Sequence, residues 1–161
     1  MVKKISYLFI IFTLFIGFNF SVNGKTNYTV DFERKGSIDI TLHETIKDSY
    51  VEGAEITIYH VADIYNNNNS NLAHKYTEQF NHCEASLDDI TEDDFLEEVS
   101  KCIKEDSEGI VDYTDENGNV VFDELPLGLY LVKQTNKVDG YSIIDTFMAH
   151  IPVTIDNSWT Y

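Results

Sequence analysis

The feature that most constrains this chain is a pair of strand-like runs, punctuated by glycine and proline, within residues 115–135. Residues 119–123 and 129–134 are rich in Val, Phe, Tyr and Leu, side chains that favour a pleated, half-buried surface. Asn117-Gly118 precedes the first run, and both residues tolerate positive φ, which makes a strong turn signal. Leu125-Pro126-Leu127-Gly128 separates the two runs. Pro126 presets φ at the second position of a turn and Gly128 suits the fourth, the pattern of a type I turn. The two runs are therefore expected as adjacent strands at the heart of an antiparallel β domain. The stretch holds no nucleophile–base pair and no cluster of ligands, so it reads as built to pack.

The first 24 residues belong to a different problem. Lys3 and Lys4 give a positive start, residues 5–20 are almost wholly apolar, and Val22-Asn23-Gly24 supplies modest side chains at a cleavage position. This is the pattern of a secretory signal peptide cut between Gly24 and Lys25. The rival, an uncleaved anchor, has an apolar core shorter than the ~20 residues that a spanning helix needs. Removing residues 1–24 of 161 leaves 137, enough for one domain with a real core. It also leaves 9 basic residues against 28 acidic ones, a formal charge of −19. Such a surface repels nucleic acid and anionic membranes, and its simplest reading is a solvated exterior. Two cysteines, Cys83 and Cys102, are present. In an exported chain an even count points to a disulfide, and two buried free thiols are the alternative.

Taken in order, residues 25–35 are a leader, either flexible or an edge strand. Ile38, Ile40 and Leu42 alternate with Asp39 and Thr41, the pattern of a strand with one buried face. Polar turns come next at Lys47-Asp48-Ser49 and Glu52-Gly53. A longer strand is expected over residues 54–64, with Ile56 and Ile58 on one face and Thr57 and Tyr59 on the other. The pattern breaks at Tyr65, and residues 66–71 form a polar, Asn-rich loop. Asn27 and Asn68 open glycosylation sequons that would matter only in a eukaryotic host. Residues 87–104 are the helical region. Phe95, Val99, Cys102 and Ile103 fall on one apolar stripe, Thr91 and Asp94 form a capping-box-like pair, and Glu92, Asp93 and Asp94 suit the positive end of the dipole. Residues 65–109 are thus expected as a helix-containing insertion between strands of a sandwich. Asp139-Gly140 signals another turn, residues 141–144 and 147–153 are extended, and Pro152 marks an edge or strand end. Trp159-Thr160-Tyr161 looks like the opening of a further strand, so the chain is expected to continue past Tyr161.

The search for chemistry returns little. Among the five histidines, none pairs with another at a zinc-ligand spacing. His74 and His82 flank a loop near Cys83, so a metal set built from His74, His82 and Cys83 is conceivable. Asp115-Glu116-Asn117-Gly118 superficially fits a calcium loop, but Tyr113 stands where an EF-hand needs Asp and no Glu occupies the twelfth position. A hairpin turn is the better reading. Nucleophile-elbow, P-loop and dinucleotide motifs are absent from the sequence. Acidic pairs are too common here to single out a catalytic one. No catalytic residue, cofactor, metal or small-molecule substrate is assigned, and the chain is read as a non-enzyme.

Several segments together resemble one family. Gly53-Ala54-Glu55-Ile56-Thr57-Ile58-Tyr59-His60-Val61-Ala62-Asp63-Ile64 is similar to the Gly-Ala-x-Phe-x-Leu-Tyr-x-Val-Ala-Asp segment of Gram-positive pilin N-terminal domains. The central stretch is similar to their Asp-x-x-Gly-x-Val-x-Phe-x-x-Leu-Pro-x-Gly-x-Tyr-Leu-Val-x-Gln-Thr run. Gly140-Tyr141-Ser142 and residues 147–152 resemble the family's next segments, so the likeness covers residues 36–161. Each piece alone is common; their order and spacing are not. The resemblance implies an immunoglobulin-like or transthyretin-like antiparallel β sandwich, the first domain of a sortase-assembled pilus subunit. Its expected partners are a sortase and neighbouring pilin subunits, and its expected location is the cell wall or cell surface. Trp159 and Tyr161 would begin the pilin motif, whose linking lysine is not in this sequence. Relatives with an internal isopeptide bond use an acid in a Tyr-x-Leu-x-Glu-Thr box. Here the box runs from Tyr130 to Thr135 with Gln134 in the acid's place, and residues 38–42 contain no lysine. An amide cannot share a proton as a buried acid does, so no internal isopeptide is expected. Two rival roles remain: a secreted adhesin-type module binding host surface molecules such as matrix or glycan, and a regulatory domain beside a peptidase.

Overall fold

A computed structural model describes residues 29–67, 72–91, 93–155 and 158–161. The signal peptide, the Gly24–Lys25 bond, Asn27, Glu92 and the Asn68–Ser70 sequon lie outside the described residues. The architecture is mainly β, and every strand pairing is antiparallel.

The centre of the fold is one long strand, β4 (Glu55–Asn66). It is flanked on one side by β8 (Gly128–Gln134), which in turn pairs with β9 (Phe147–Ile151). Its other side is shared: β6 (Ile110–Tyr113) covers its first half and β5 (Leu72–Tyr76) its last. Facing this five-stranded sheet is a two-stranded one, β1 (Gly36–Thr41) with β7 (Asn119–Leu125). Two short ribbons complete the set: β2 (His43–Glu44) with β3 (Ser49–Tyr50), and β10 (Val153–Ile155) with β11 (Ser158–Thr160). The single α-helix among the described residues is α1 (Asp93–Lys101).

Strand alternation explains where the core sits. In β1 and β7, Ile38, Ile40, Val120 and Phe122 point inward while Asp39, Thr41 and Val121 face water. They meet Ile56, Ile58, Tyr130 and Val132 of the large sheet, and this is the sandwich core. The opposite face of the large sheet is also covered. Val61, Leu129 and Leu131 pack there against Phe80, Phe95 and Val99 of the insertion. A strand buried on both faces reads as a continuous apolar run, which is why β8 carries Leu-Tyr-Leu-Val at residues 129–132. Burying one such side chain contributes about 1.5–3 kcal/mol.

Four sequence expectations need correction. First, β7 and β8 are consecutive in the chain but belong to different sheets. Glu124, at φ +55°, lies where the β1–β7 register shifts, so that Phe122 and Leu125 both face inward. The link then crosses between the layers, and the Tyr130 hydroxyl ties it down by donating to the Pro126 carbonyl (2.6 Å). Gly128 is required at the landing point, because a Cβ there would collide with the Ala62 carbonyl and the His60 ring. Second, the turn at 115–118 is real but is not a hairpin, since β6 pairs with β4 and β7 with β1. Third, the pattern does not break at Tyr65. β4 continues to Asn66 and turns back as β5, so the insertion begins after Tyr76 and not at 65. Fourth, α1 is shorter than the apolar stripe implied: residues 87–91 are turns and irregular chain, and Cys102 and Ile103 come after the last helical residue.

Candidate functional site

The site-bearing residues fall in three places: the seam where the two ends of the domain meet, the cross-linked insertion, and a set of half-buried polar groups on the large sheet.

At the seam, residues 29–35 are neither a free leader nor a strand. Val30 is buried in the sandwich core, and the Asp31 amide donates to the Tyr161 hydroxyl (2.8 Å). The Arg34 guanidinium lies over the Tyr161 ring, 4.3 Å from its centroid, a cation–π contact. Gly36 lets the two segments close: a Cβ there would lie 2.9 Å from the Tyr161 backbone and would also strike Ile151. Trp159 sits in β11, and it and Tyr161 both pack half-buried against the sandwich core. The segment entering the domain therefore grips Tyr161. Sequence reasoning singles out Trp159 and Tyr161 but gives no sign of their partners, because the contact spans 130 residues.

In the insertion, Cys83 and Cys102 are joined, with Cα atoms 5.7 Å apart and a sequence separation of 19. The bond tethers the end of α1 to the segment after the 3-10 turn Glu78–Phe80. His82 Nε2 lies 3.0 Å from the Cys102 carbonyl, so it donates there and braces the same junction. Lys101 and Glu97 form an exposed ion pair one helical turn apart.

The box that carries an acid in isopeptide-forming relatives is filled differently here. Gln134 is buried, its Nε2 donates to the Asn136 carbonyl (2.8 Å), and its Oε1 accepts from the Ile144 amide (3.1 Å). Both ends of the amide are used in holding the irregular chain between β8 and β9. β1 turns Ile38 and Ile40 toward the core, with no amine among its residues. Asp115 is likewise a structural group: its Oδ1 accepts from the amides of Asn117 (2.8 Å) and Asn119 (2.9 Å). The Asn119 amide is the main cause that holds this carboxyl below its ordinary value.

The histidines are not gathered as the loop at 74–83 suggested. Cys83 is spent in the disulfide and His82 on a carbonyl, whereas His74 on β5 meets His150 on β9, Nε2 to Nε2 at 2.8 Å. Burial and the neighbouring His150 lower the His74 pKa, while Asp88 opposes them. His60 stacks on Tyr130, with ring centroids 4.7 Å apart and planes 11° off parallel. Its Nε2 is buried without a hydrogen bond; Asp63 Oδ1 lies 3.4 Å away. Burial lowers the His60 pKa and raises that of Tyr130. No group of three or more His, Cys, Asp or Glu side chains converges among the described residues. No helix among them is long and apolar enough to cross a membrane.

Comparison with known proteins picks out one family. A family model described as the SpaA prealbumin-like fold domain matches residues 36–161. Among solved structures, the full-length major pilin SpaD from Corynebacterium diphtheriae superposes with a TM-score of 0.51 at 24% identity. That match covers 82% of this chain and 29% of SpaD. The fimbrial protein FimP from Actinomyces oris superposes with a TM-score of 0.56 at 19% identity, covering 83% of this chain and 29% of FimP. The chain thus spans under a third of the length of either protein. No curated protein matches the sequence.

Proposed function

Because the chain belongs to the family of SpaA prealbumin-like fold domains, we propose that it serves as a structural domain of a sortase-assembled pilus on a Gram-positive cell surface. The observation that carries this reading is the family match over residues 36–161, from the first strand of the sandwich through the Trp159–Tyr161 segment. In this account residues 1–24 direct export and are removed between Gly24 and Lys25. The sandwich then supplies a rigid, soluble unit. Chemistry is done to the protein by a sortase, which joins it to neighbouring pilin subunits and to the cell wall, and the domain itself catalyses nothing. The Arg34–Tyr161 and Asp31–Tyr161 contacts support the reading. They fix the direction of the Trp159–Tyr161 segment, which resembles the start of the pilin motif. Gln134, engaged through both ends of its amide, favours a sandwich held by packing and hydrogen bonds without an internal isopeptide. The intact mass should then show no loss of ammonia.

The test is a wall extract of the producing bacterium, probed with an antibody raised against residues 25–161, with and without its sortase genes. A ladder of detergent-resistant bands that collapses to a single species on sortase deletion supports the proposal. A single released species in both strains refutes it and moves attention to binding of host matrix or glycan.

A further inference from the structure

We propose that His74 and His150 form a two-histidine site for a divalent transition ion of the zinc, nickel or copper class. The two residues stand on β5 and β9, which sit on opposite outer sides of the β4–β8 pair. Their Nε2 atoms nevertheless converge to 2.8 Å, with the rings edge to face. His150 Nδ1 lies 2.8 Å from the Pro152 carbonyl. A carbonyl only accepts, so Nδ1 carries the proton and His150 Nε2 presents a lone pair. The proton between the two rings is then the one on His74 Nε2, and a single N–H···N bond joins the two strands.

That arrangement is one step from a metal site. An imidazole whose far N–H donates to a backbone carbonyl has the orientation that metal-bound histidines use. Two Zn–N bonds of about 2.0–2.1 Å at a tetrahedral angle set the nitrogens about 3.3 Å apart, so the pair needs to open by only about half an ångström. Both rings are half-buried, which leaves room for water at the remaining positions. Asp88, exposed and close enough to act on His74, adds a negative charge on that side. Nitrogen ligands select zinc, nickel and copper over magnesium and calcium. When the ion binds, the proton on His74 Nε2 moves through solvent to His74 Nδ1, so both neutral rings offer an Nε2 lone pair. The ion then cross-links β5 to β9, and binding stabilises the fold.

The test uses the untagged secreted protein, freed of metal with a chelator and titrated with ZnCl2, NiCl2 and, as a control, MgCl2. Calorimetry should show one zinc or nickel per chain and a rise in the unfolding temperature, and magnesium should do neither. His74→Ala and His150→Ala should each weaken zinc binding at least tenfold, while His43→Ala, on the β2 ribbon, leaves it unchanged. If the alanine variants do not fold, NMR of the native protein decides. Substoichiometric nickel must broaden two imidazole signals ahead of the other three. No binding at millimolar zinc, binding that survives both substitutions in folded protein, or uniform broadening of all five histidines would overturn the proposal.

Discussion

The two faces of the large sheet are buried by opposite means. On one face β1 and β7 lie as regular strands, and Ile38, Ile40, Val120 and Phe122 interdigitate with Ile56, Ile58, Tyr130 and Val132. On the other face an irregular stretch with one short helix presses Phe80, Phe95 and Val99 onto Val61, Leu129 and Leu131. The first face is held by strand pairing between positions about 80 residues apart. The second is held by a few large plugs and one covalent bond. Regular alternation makes the first layer cooperative with the sheet. The second can open without unpairing any strand of the sandwich.

The largest expected effect comes from emptying each face in turn. Phe122 is 3% exposed and Phe80 is fully buried, and truncating a buried Phe to Ala costs about 3–5 kcal/mol. Trp159, the only tryptophan, packs against the sandwich core and reports on that side alone. Phe122→Ala should lower the urea midpoint by the same amount whether followed by Trp159 fluorescence or by helix circular dichroism. Phe80→Ala should split the two probes, with the helix signal lost at lower urea. Coincident transitions in Phe80→Ala would merge the two faces into one unit.

A smaller effect is set by pH and belongs to the sheet between the faces. His60 is packed on Tyr130 of β8, faces Asp63 of its own strand, and feels Lys35 of the entering segment. Burial, the largest cause, puts its folded pKa below the ordinary 6.5. The unfolded chain therefore binds the proton more readily. The stability that neutral His60 contributes is complete above pH 6.5 and is lost as pH falls from there through the folded pKa. Urea midpoints measured from pH 7.5 down to 5 should fall, and His60→Phe, which keeps a ring on Tyr130, should show a shallower course. An identical slope in the variant would assign the pH dependence elsewhere.

The smallest effect is expected at the rim of the insertion. Glu97 and Lys101 are both largely exposed, and exposed pairs contribute little once side-chain entropy and screening are counted. Glu97→Gln should leave both transitions where they are, and a clear shift would show that α1 depends on its surface charges.

The same contrast governs what can be read from the sequence. β1, β4, β7 and β8 are legible because alternation or a continuous apolar run marks them directly. Which sheet each joins is not legible: Asn117-Gly118 and Pro126 announce a change of direction, but the layer is decided by Glu124 and by the Gly128 landing. β5 and β6 escape a sequence reading. Leu72–Tyr76 has no alternating pattern, and all four residues of Ile110–Tyr113 are exposed, so neither carries a burial signal. At the candidate site, Trp159, Tyr161, Cys83 and Cys102 can be named from local pattern and chemistry. Their partners cannot. Asp31, Arg34 and the His74–His150 contact arise from long-range closure, for which no local signal exists.

The most direct test of the view that the sandwich is the structural unit and the insertion an accessory is hydrogen exchange with and without the Cys83–Cys102 bond. Closing a loop of this length contributes roughly 3 kcal/mol by restricting the unfolded chain. Reduction, or the Cys83→Ser/Cys102→Ser double variant, should sharply raise exchange across residues 77–104 and leave the amides of β1, β7 and β8 protected as before. Loss of protection in β1 and β7 in step with the insertion would contradict the account, because the sandwich would then depend on the face meant to be dispensable.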